Sequence, residues 1–425
     1  MGAGLGVYRA VTGTAGALLV PAVRLLAPRG GALRMSLSAP PDPAAAARGS
    51  VWIHAASMGE MVAARRWAHA LAASGHRTPF YLTARTATGL ARARSETEGM
   101  AVAAIAPLDL PSLVRKTLRA LAPARLDLVE TEIWPNLLLE ARRAGAPVVF
   151  VSATVSPATA ARLARFGLGG PALLGEGVWV LAQSSAAAGR FRGLGVPEGR
   201  IAVVGDLKAE PPVEKALAPP SRRRLVAFGS IRPGEEAAAT TAARVLATSN
   251  LRLLAAPRHE AARPALRAAL ERDGFALIER DSAAAAAEPL GAWLERLASS
   301  PGGTVGILAT RGELARAYEE AAIALAGGSF ADYGGHNAIE PAARGCPVIV
   351  GPRHGEILPA VEALDAWGGV RVVRDGGDLA EALTAWIGSP GSRDAAGEGA
   401  SRAAAEASRS AERAIEALRS MGLAA

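Results

Sequence analysis

Aromatic side chains make up only 4% of this 425-residue chain, although half of its residues are apolar. Its cores must therefore be packed from small aliphatic side chains. Cysteine occurs once, at Cys346, which excludes an intramolecular disulfide and any metal site built from a cysteine cluster. Lysine is nearly missing. Of 47 basic residues only Lys116, Lys208 and Lys215 are lysines, leaving 44 arginines, and the net charge is +8. Such a balance suits nucleic acid, an anionic membrane surface or a phosphorylated substrate alike. With no zinc-finger spacing, RNA-binding aromatic signature or basic-helix repeat, nucleic acid is set aside as a partner.

A long spanning segment is also missing at the N-terminus. The apolar run 10–23 falls short of the about 20 residues that a membrane-crossing helix needs, and it contains Pro21. No small-residue cleavage site follows before the Pro/Ala-rich stretch 39–47. Residues 1–48 read as a membrane-associated segment lying at the interface, with a packed helix of the fold and a signal or spanning segment as competing readings. Five arginines (Arg9, Arg24, Arg29, Arg34, Arg48) against one acid in the first fifty residues favour an anionic surface facing the cytoplasm.

What is present is a rhythm. From Val51, short apolar runs alternate with helical stretches: VWIHAA, PFYLTA, AVAAIAP, LDLVET, PVVFVSA, VWVLAQ and IAVVG. The segment 209–224, with four prolines, interrupts the alternation as a linker would. It restarts as RLVAFGS, LRLLAAP, TVGILAT, AIALAGG, PVIVGP and GVRVVRD. Apolar runs without strict alternation suit parallel strands covered on both faces. The expected fold is α/β, with Rossmann-like domains over 49–208 and 225–395 and a closing helix in 396–425. Open sheets of this kind bind ligands beyond the carboxyl ends of their strands, so the chemistry is expected in a cleft that the two domains share.

The candidate residues cluster at strand ends. VWIHAA runs into Ser57, Gly59 and Glu60, where Glu60 is either a catalytic carboxylate or a helix cap. LDLVET ends in Glu130 and Glu132, two apart and therefore expected on one side of the strand, before Pro135 opens a helix. Lys208 follows IAVVG and offers a compact positive charge. In the second half, GGSFADYGGHNAIEP carries two glycine pairs, then His336, Asn337 and Glu340. Glycines that turn backbone N–H groups toward an anion, followed by a helix N-terminus, make a phosphate cradle, with Glu340 in reach of ribose hydroxyls. Arg258 and His259 follow LRLLAAP, and Arg311, Gly312 and Glu313 follow TVGILAT.

In this order and spacing, HAASMGE, VETEIWPNLL, VVGDLKAE, APRHEAAR, GELARAYEEA and GGSFADYGGHNAIEP resemble the Kdo (3-deoxy-D-manno-octulosonic acid) transferase family from about residue 50 to 355. The resemblance implies a GT-B fold with the acceptor on the N-terminal domain, CMP-Kdo on the C-terminal domain, and neither cofactor nor metal. It implies a lipid A precursor as acceptor and the cytoplasmic face of the inner membrane as location. Glu60 matches the general base, and Glu130 and Lys208 match the residues that stabilise the transition state. Pro257, Arg258, Arg311, Gly312, Glu313, Asn337, Ala338, Ile339 and Glu340 match the CMP-binding positions, with Ser57, Gly59, Glu132, Ser230, His259, Gly335 and His336 in support. The chain departs from the family pattern at Ser230-Ile231-Arg232, where Ser-Thr-His is usual, at Arg311 in place of Met, at Thr154 in place of Arg, and at Gly355-Glu356. These departures leave Kdo or a related ulosonic acid as the sugar. Another nucleotide-sugar transferase or epimerase of the same fold is the alternative enzyme, and a non-catalytic membrane-surface protein the alternative outside enzymes.

Overall fold

The computed structural model describes residues 3–26, 32–37, 48–97, 100–209 and 217–423. Arg29, the stretch 39–47 and the linker residues 210–216, Lys215 among them, lie outside the described residues. The chain divides into two compact units, Met1–Lys208 with Arg409–Ala425, and Ala209–Ser408.

In the first unit the seven apolar runs become strands β1 (Val51–His54), β2 (Phe80–Ala84), β3 (Ala101–Ile105), β4 (Arg125–Val129), β5 (Val148–Ala153), β6 (Val178–Ala182) and β7 (Ile201–Val203). They form one sheet in the order 3-2-1-4-5-6-7, every pair parallel. Every residue of β1, β2, β4 and β5 is buried. Helices cover both faces, so no in-out alternation is needed.

The second sheet holds β8 (Leu225–Ile231), β9 (Arg252–Pro257), β10 (Ala276–Arg280), β11 (Thr304–Leu308), β12 (Ala321–Ala326), β13 (Val348–Val350) and β14 (Val370–Val372), in the order 10-11-9-8-12-13-14. Six of these were expected. β10 was not: it lies at the sheet edge, is mostly half-exposed, and its short apolar stretch FALI runs straight into Glu279 and Arg280. The order reverses between β1 and β4 in the first sheet and between β8 and β12 in the second. Crevices at such reversals are where this architecture accepts ligands.

The tail differs from the single closing helix expected there. One helix, Pro390–Ser408, belongs to the second unit. Another, Ser410–Ser420, packs Ala414, Ile415 and Leu418 into the core of the first unit beside Val51 and Ile53. Neither glycine nor proline marks the boundary, so composition could not place it.

At the N-terminus the helix Ala3–Leu26 lies on the first unit. Leu5 is buried, the Tyr8 hydroxyl donates to Asp109 at 2.9 Å, and Arg9 pairs with Glu140 at 2.7 Å. Arg9, counted above among the charges facing a membrane, is thus spent inside the fold. Val7, Val11 and Leu18, spaced four and seven apart, share the opposite face and are exposed. No described helix is long and apolar enough to cross a membrane.

Candidate functional site

At the β1/β4 reversal the chain leaves β1 and turns into the helix Met58–Ala73. Ser57 caps it: its hydroxyl accepts the Glu60 N–H at 3.2 Å. The Glu60 carboxylate returns the bond, accepting the N–H groups of Ala56 at 2.6 Å and Ser57 at 3.2 Å through Oε2. This is a capping box, and it holds the carboxylate over the end of β1. Oε1 takes no part in it.

Beside it, Glu130 follows β4 with φ +60°, a left-handed conformation that costs a non-glycine residue strain. That turn aims its carboxylate at Lys208, with which it pairs. A Cβ at Gly59 would sit 3.8 Å from the Lys208 ammonium, so this charge lies over the first turn of the capped helix. Burial pushes the pKa of Glu130 up, Lys208 pulls it back, and the negative charges of Glu60 and Asp206 push it up further. Three of the predicted residues, Glu60, Glu130 and Lys208, are therefore within electrostatic reach of one another.

Glu132 is not part of that group, which corrects the expectation of two carboxylates on one side. β4 ends at Val129 and the left-handed turn at Glu130 breaks the two-residue period. Glu132 accepts from the Trp134 indole N–H and lies 3.5 Å from His54 Nε2. His54 is buried, its Nδ1 2.9 Å from the Thr83 hydroxyl. Burial opposes ionisation of Glu132, but His54, Trp134 and the nearby charge of Arg85 outweigh it and hold its pKa below the ordinary value. Arg85 itself stacks 4.8 Å over the Trp134 ring.

In the second unit the reversal between β8 and β12 holds a cavity of about 120 Å³ lined by Gly229, Ser230, Arg258, His336, Asn337 and Glu340. Ser230, like Glu130, is left-handed, with φ +57°. Pro257 pairs with Ile231 across the sheet, and the Arg258 N–H donates to the Ile231 carbonyl at 2.9 Å. Asn337 caps the following turn, its side-chain oxygen accepting from Ile339 at 3.0 Å and Glu340 at 3.2 Å. Ala338 and Ile339 are buried beneath it.

Two features of the expected cradle are revised. The helix there is a single turn, Ile339–Ala342, with little dipole to offer an anion. Nor do Gly327, Gly328 and Gly335 turn their N–H groups outward. Gly327 donates to the Gly229 carbonyl at 2.9 Å, Gly335 to Gly328 at 2.8 Å, and His336 to Gly327 at 2.9 Å. Glycine is required at 327 for closeness: a Cβ would lie 2.4 Å from the carbonyl oxygens of Gly229 and Ser230. Among the described residues that line the cavity, Asn337 has a backbone N–H with no acceptor, a donor left for an anion.

His336 keeps an unpaired, buried Nε2. Burial, then the charges of Arg258, Arg232 and His259, lower its pKa to about 4, so it is neutral near pH 7. Glu313, expected at the nucleotide, grips Arg280 through both oxygens at 2.7 and 2.8 Å and accepts from the Thr310 hydroxyl. Its carboxylate is thereby committed to holding the turn that carries Arg311 and Gly312. Both His259 and Arg311 are exposed.

Sequence reasoning missed Glu235 and the Ser152–Asp206 pair. The buried Glu235 carboxylate accepts the N–H groups of Arg232 at 2.8 Å, Gly328 at 2.9 Å and Phe330 at 2.9 Å, tying the end of β8 to the glycine-rich loop. In the first unit the left-handed Ser152 donates to Asp206 at 3.1 Å, and Asp206 accepts the Lys208 N–H at 2.9 Å. That bond sets the backbone from which Lys208 reaches Glu130.

A family model described as 3-deoxy-D-manno-octulosonic-acid transferase (kdotransferase) matches residues 31–210. The 3-deoxy-D-manno-octulosonic acid transferase of Bordetella pertussis is 35% identical over 328 residues, 71% of each chain. That of Haemophilus influenzae is 27% identical over 360 residues, 82% of this chain and 81% of its own. Among solved structures, Anabaena HepE in complex with UDP aligns with a TM-score of 0.60 at 13% identity, covering 87% of this chain and 100% of that one. At that identity the likeness is one of fold.

Proposed function

This chain belongs to the 3-deoxy-D-manno-octulosonic-acid transferase family, and from that premise we propose that it is an inverting glycosyltransferase that moves Kdo, or a related ulosonic acid, from CMP-Kdo to a lipid A precursor. The observation that carries this reading is the group Glu60, Glu130 and Lys208 at one strand reversal. An acceptor hydroxyl attacks the anomeric carbon while the bond to the phosphate oxygen breaks. Glu60 takes the hydroxyl proton through Oε1, the oxygen its capping bonds leave open. Positive charge grows on the sugar and negative charge on the departing CMP; Glu130 answers the first and Lys208 the second.

The nucleotide is assigned to the cavity of the second unit, where Arg258 and the Asn337 N–H meet phosphate and Glu340 meets the ribose. These side chains supply the charge that a metal ion would otherwise bring, so metal-independent transfer is part of the proposal. The enzyme is assigned to the cytoplasmic face of the inner membrane, held there by the exposed Val7, Val11 and Leu18 of the N-terminal helix.

Glu60→Gln tests the central role. Glutamine retains an oxygen for the capping bonds, so stability should change by under about 1 kcal/mol. CMP binding should be kept and transfer to the lipid A precursor should fall by at least about 100-fold. Turnover close to wild type would remove Glu60 from the chemistry and leave it a helix cap.

A further inference from the structure

An ulosonic acid of this type carries its carboxylate on the anomeric carbon, which in the activated donor also carries the phosphate. The donor therefore brings two negative charges to adjacent positions. At the end of β8 the second unit brings two arginines to adjacent backbone positions. Ile231 and Pro257 are register partners, the next residues are Arg232 and Arg258, and the Arg258 N–H bonds the Ile231 carbonyl at 2.9 Å.

Neither guanidinium has an ion-pair partner among the described residues. Elsewhere in the same unit Arg263, Arg280 and Arg296 are each held by a carboxylate. Arg232 is held without being neutralised. Its guanidinium lies 4.3 Å over the Tyr333 ring, its backbone N–H is fixed by Glu235 at 2.8 Å, and its buried Nε has no partner. Stacking of this kind orients a cation and leaves its in-plane N–H groups available. His336, which lines the cavity with Arg258, has an unpaired Nε2, and the charges of both Arg258 and Arg232 act on it.

We propose that Arg232 determines donor specificity by binding the carboxylate of the sugar, while Arg258 binds the phosphate. This rests on the assignment of the second unit as the donor site. A guanidinium meets a carboxylate through two parallel N–H bonds, a geometry that a histidine, usual here in the resembling family, cannot copy. With both charges paired, an anomeric centre flanked by two anions is held without electrostatic conflict. A neutral hexose donor would leave Arg232 desolvated and unpaired, which selects against it.

The test uses the full-length protein, with calorimetric binding of CMP and steady-state transfer from CMP-Kdo as the two readouts. Arg232→Gln should raise KM for CMP-Kdo by about 10- to 100-fold, the range for a lost charge-assisted bond, with the Kd for CMP within about twofold of wild type. Arg232→Lys should lie between, and Arg258→Gln should weaken both ligands. Equal weakening of CMP and CMP-Kdo in Arg232→Gln would put Arg232 on the phosphate and overturn the proposal, as would no change in either. Wild-type protein that binds no CMP would overturn the donor-site assignment itself, a different result from any of these.

Discussion

Removing the ammonium of Lys208 exposes the cost of the charge it faces. In Lys208→Met the Glu130 carboxylate stays in place, 16% exposed, with Glu60 and Asp206 still pressing on it and its counter-charge gone. Breaking a fully buried pair costs about 3–5 kcal/mol; Lys208 is 33% exposed, so water screens part of this and about 2 kcal/mol is the better figure. Losing the counter-charge pushes up further a pKa that burial has already raised. The sign follows from linkage. A carboxyl whose folded pKa lies above its unfolded value binds more protons in the folded state, so its cost is absent at low pH and grows as pH rises through the folded pKa. The variant should therefore nearly match wild type near pH 4 and lose about 2 kcal/mol by pH 8, about 4–8 °C in the unfolding transition of a unit of this size. Thermal unfolding across that pH range measures it, and adding Glu130→Gln to Lys208→Met should restore most of the loss at pH 8. A deficit equal at every pH, or one that the second substitution leaves untouched, would refute the ion-pair account and make Lys208 a packing residue.

His336 gives the opposite slope. Its pKa falls from 6.5 to about 4, so below pH 6.5 the unfolded state takes up a proton that the folded state refuses, and stability drops toward pH 4 by about 2 kcal/mol after allowance for its partial exposure. Denaturant unfolding of His336→Gln at pH 7 and pH 4.5 should show that component of the drop removed, and CMP at saturation should shrink it in wild type. Gly327→Ala forces a Cβ to within 2.4 Å of two backbone oxygens and should destabilise the second unit by about 2 kcal/mol or more with loss of CMP binding. Gly189→Ala, in a helix with nothing within 4 Å of the added carbon, should stabilise the first unit by about 0.5–1 kcal/mol and serves as its control.

Thirteen of the fourteen strands are legible as apolar runs, because a parallel strand buried on both faces must be written as one. β10 escapes because its apolar stretch FALI is cut short by Glu279 and Arg280, charges that a half-exposed edge strand tolerates. Ser57, Glu60, Glu130, Lys208 and the loop 327–340 are also legible, since strand ends and helix starts carry local signatures and their order resembles a known family.

What escaped depends on partners far along the chain. Glu235 sits in an ordinary polar turn, and its importance comes from N–H groups 93 and 95 residues away. Glu130 and Glu132 look equivalent until the left-handed turn sends one to Lys208 and the other to His54. The two glycine pairs announce a tight loop correctly, but whether their N–H groups face a ligand or a carbonyl was settled only when β8 and β12 came side by side. Backbone preference and burial are local properties and can be read from a few consecutive residues. The partner of a polar group is chosen by whichever segments folding brings within about 3 Å, a distance over which hydrogen bonds form and beyond which they do not.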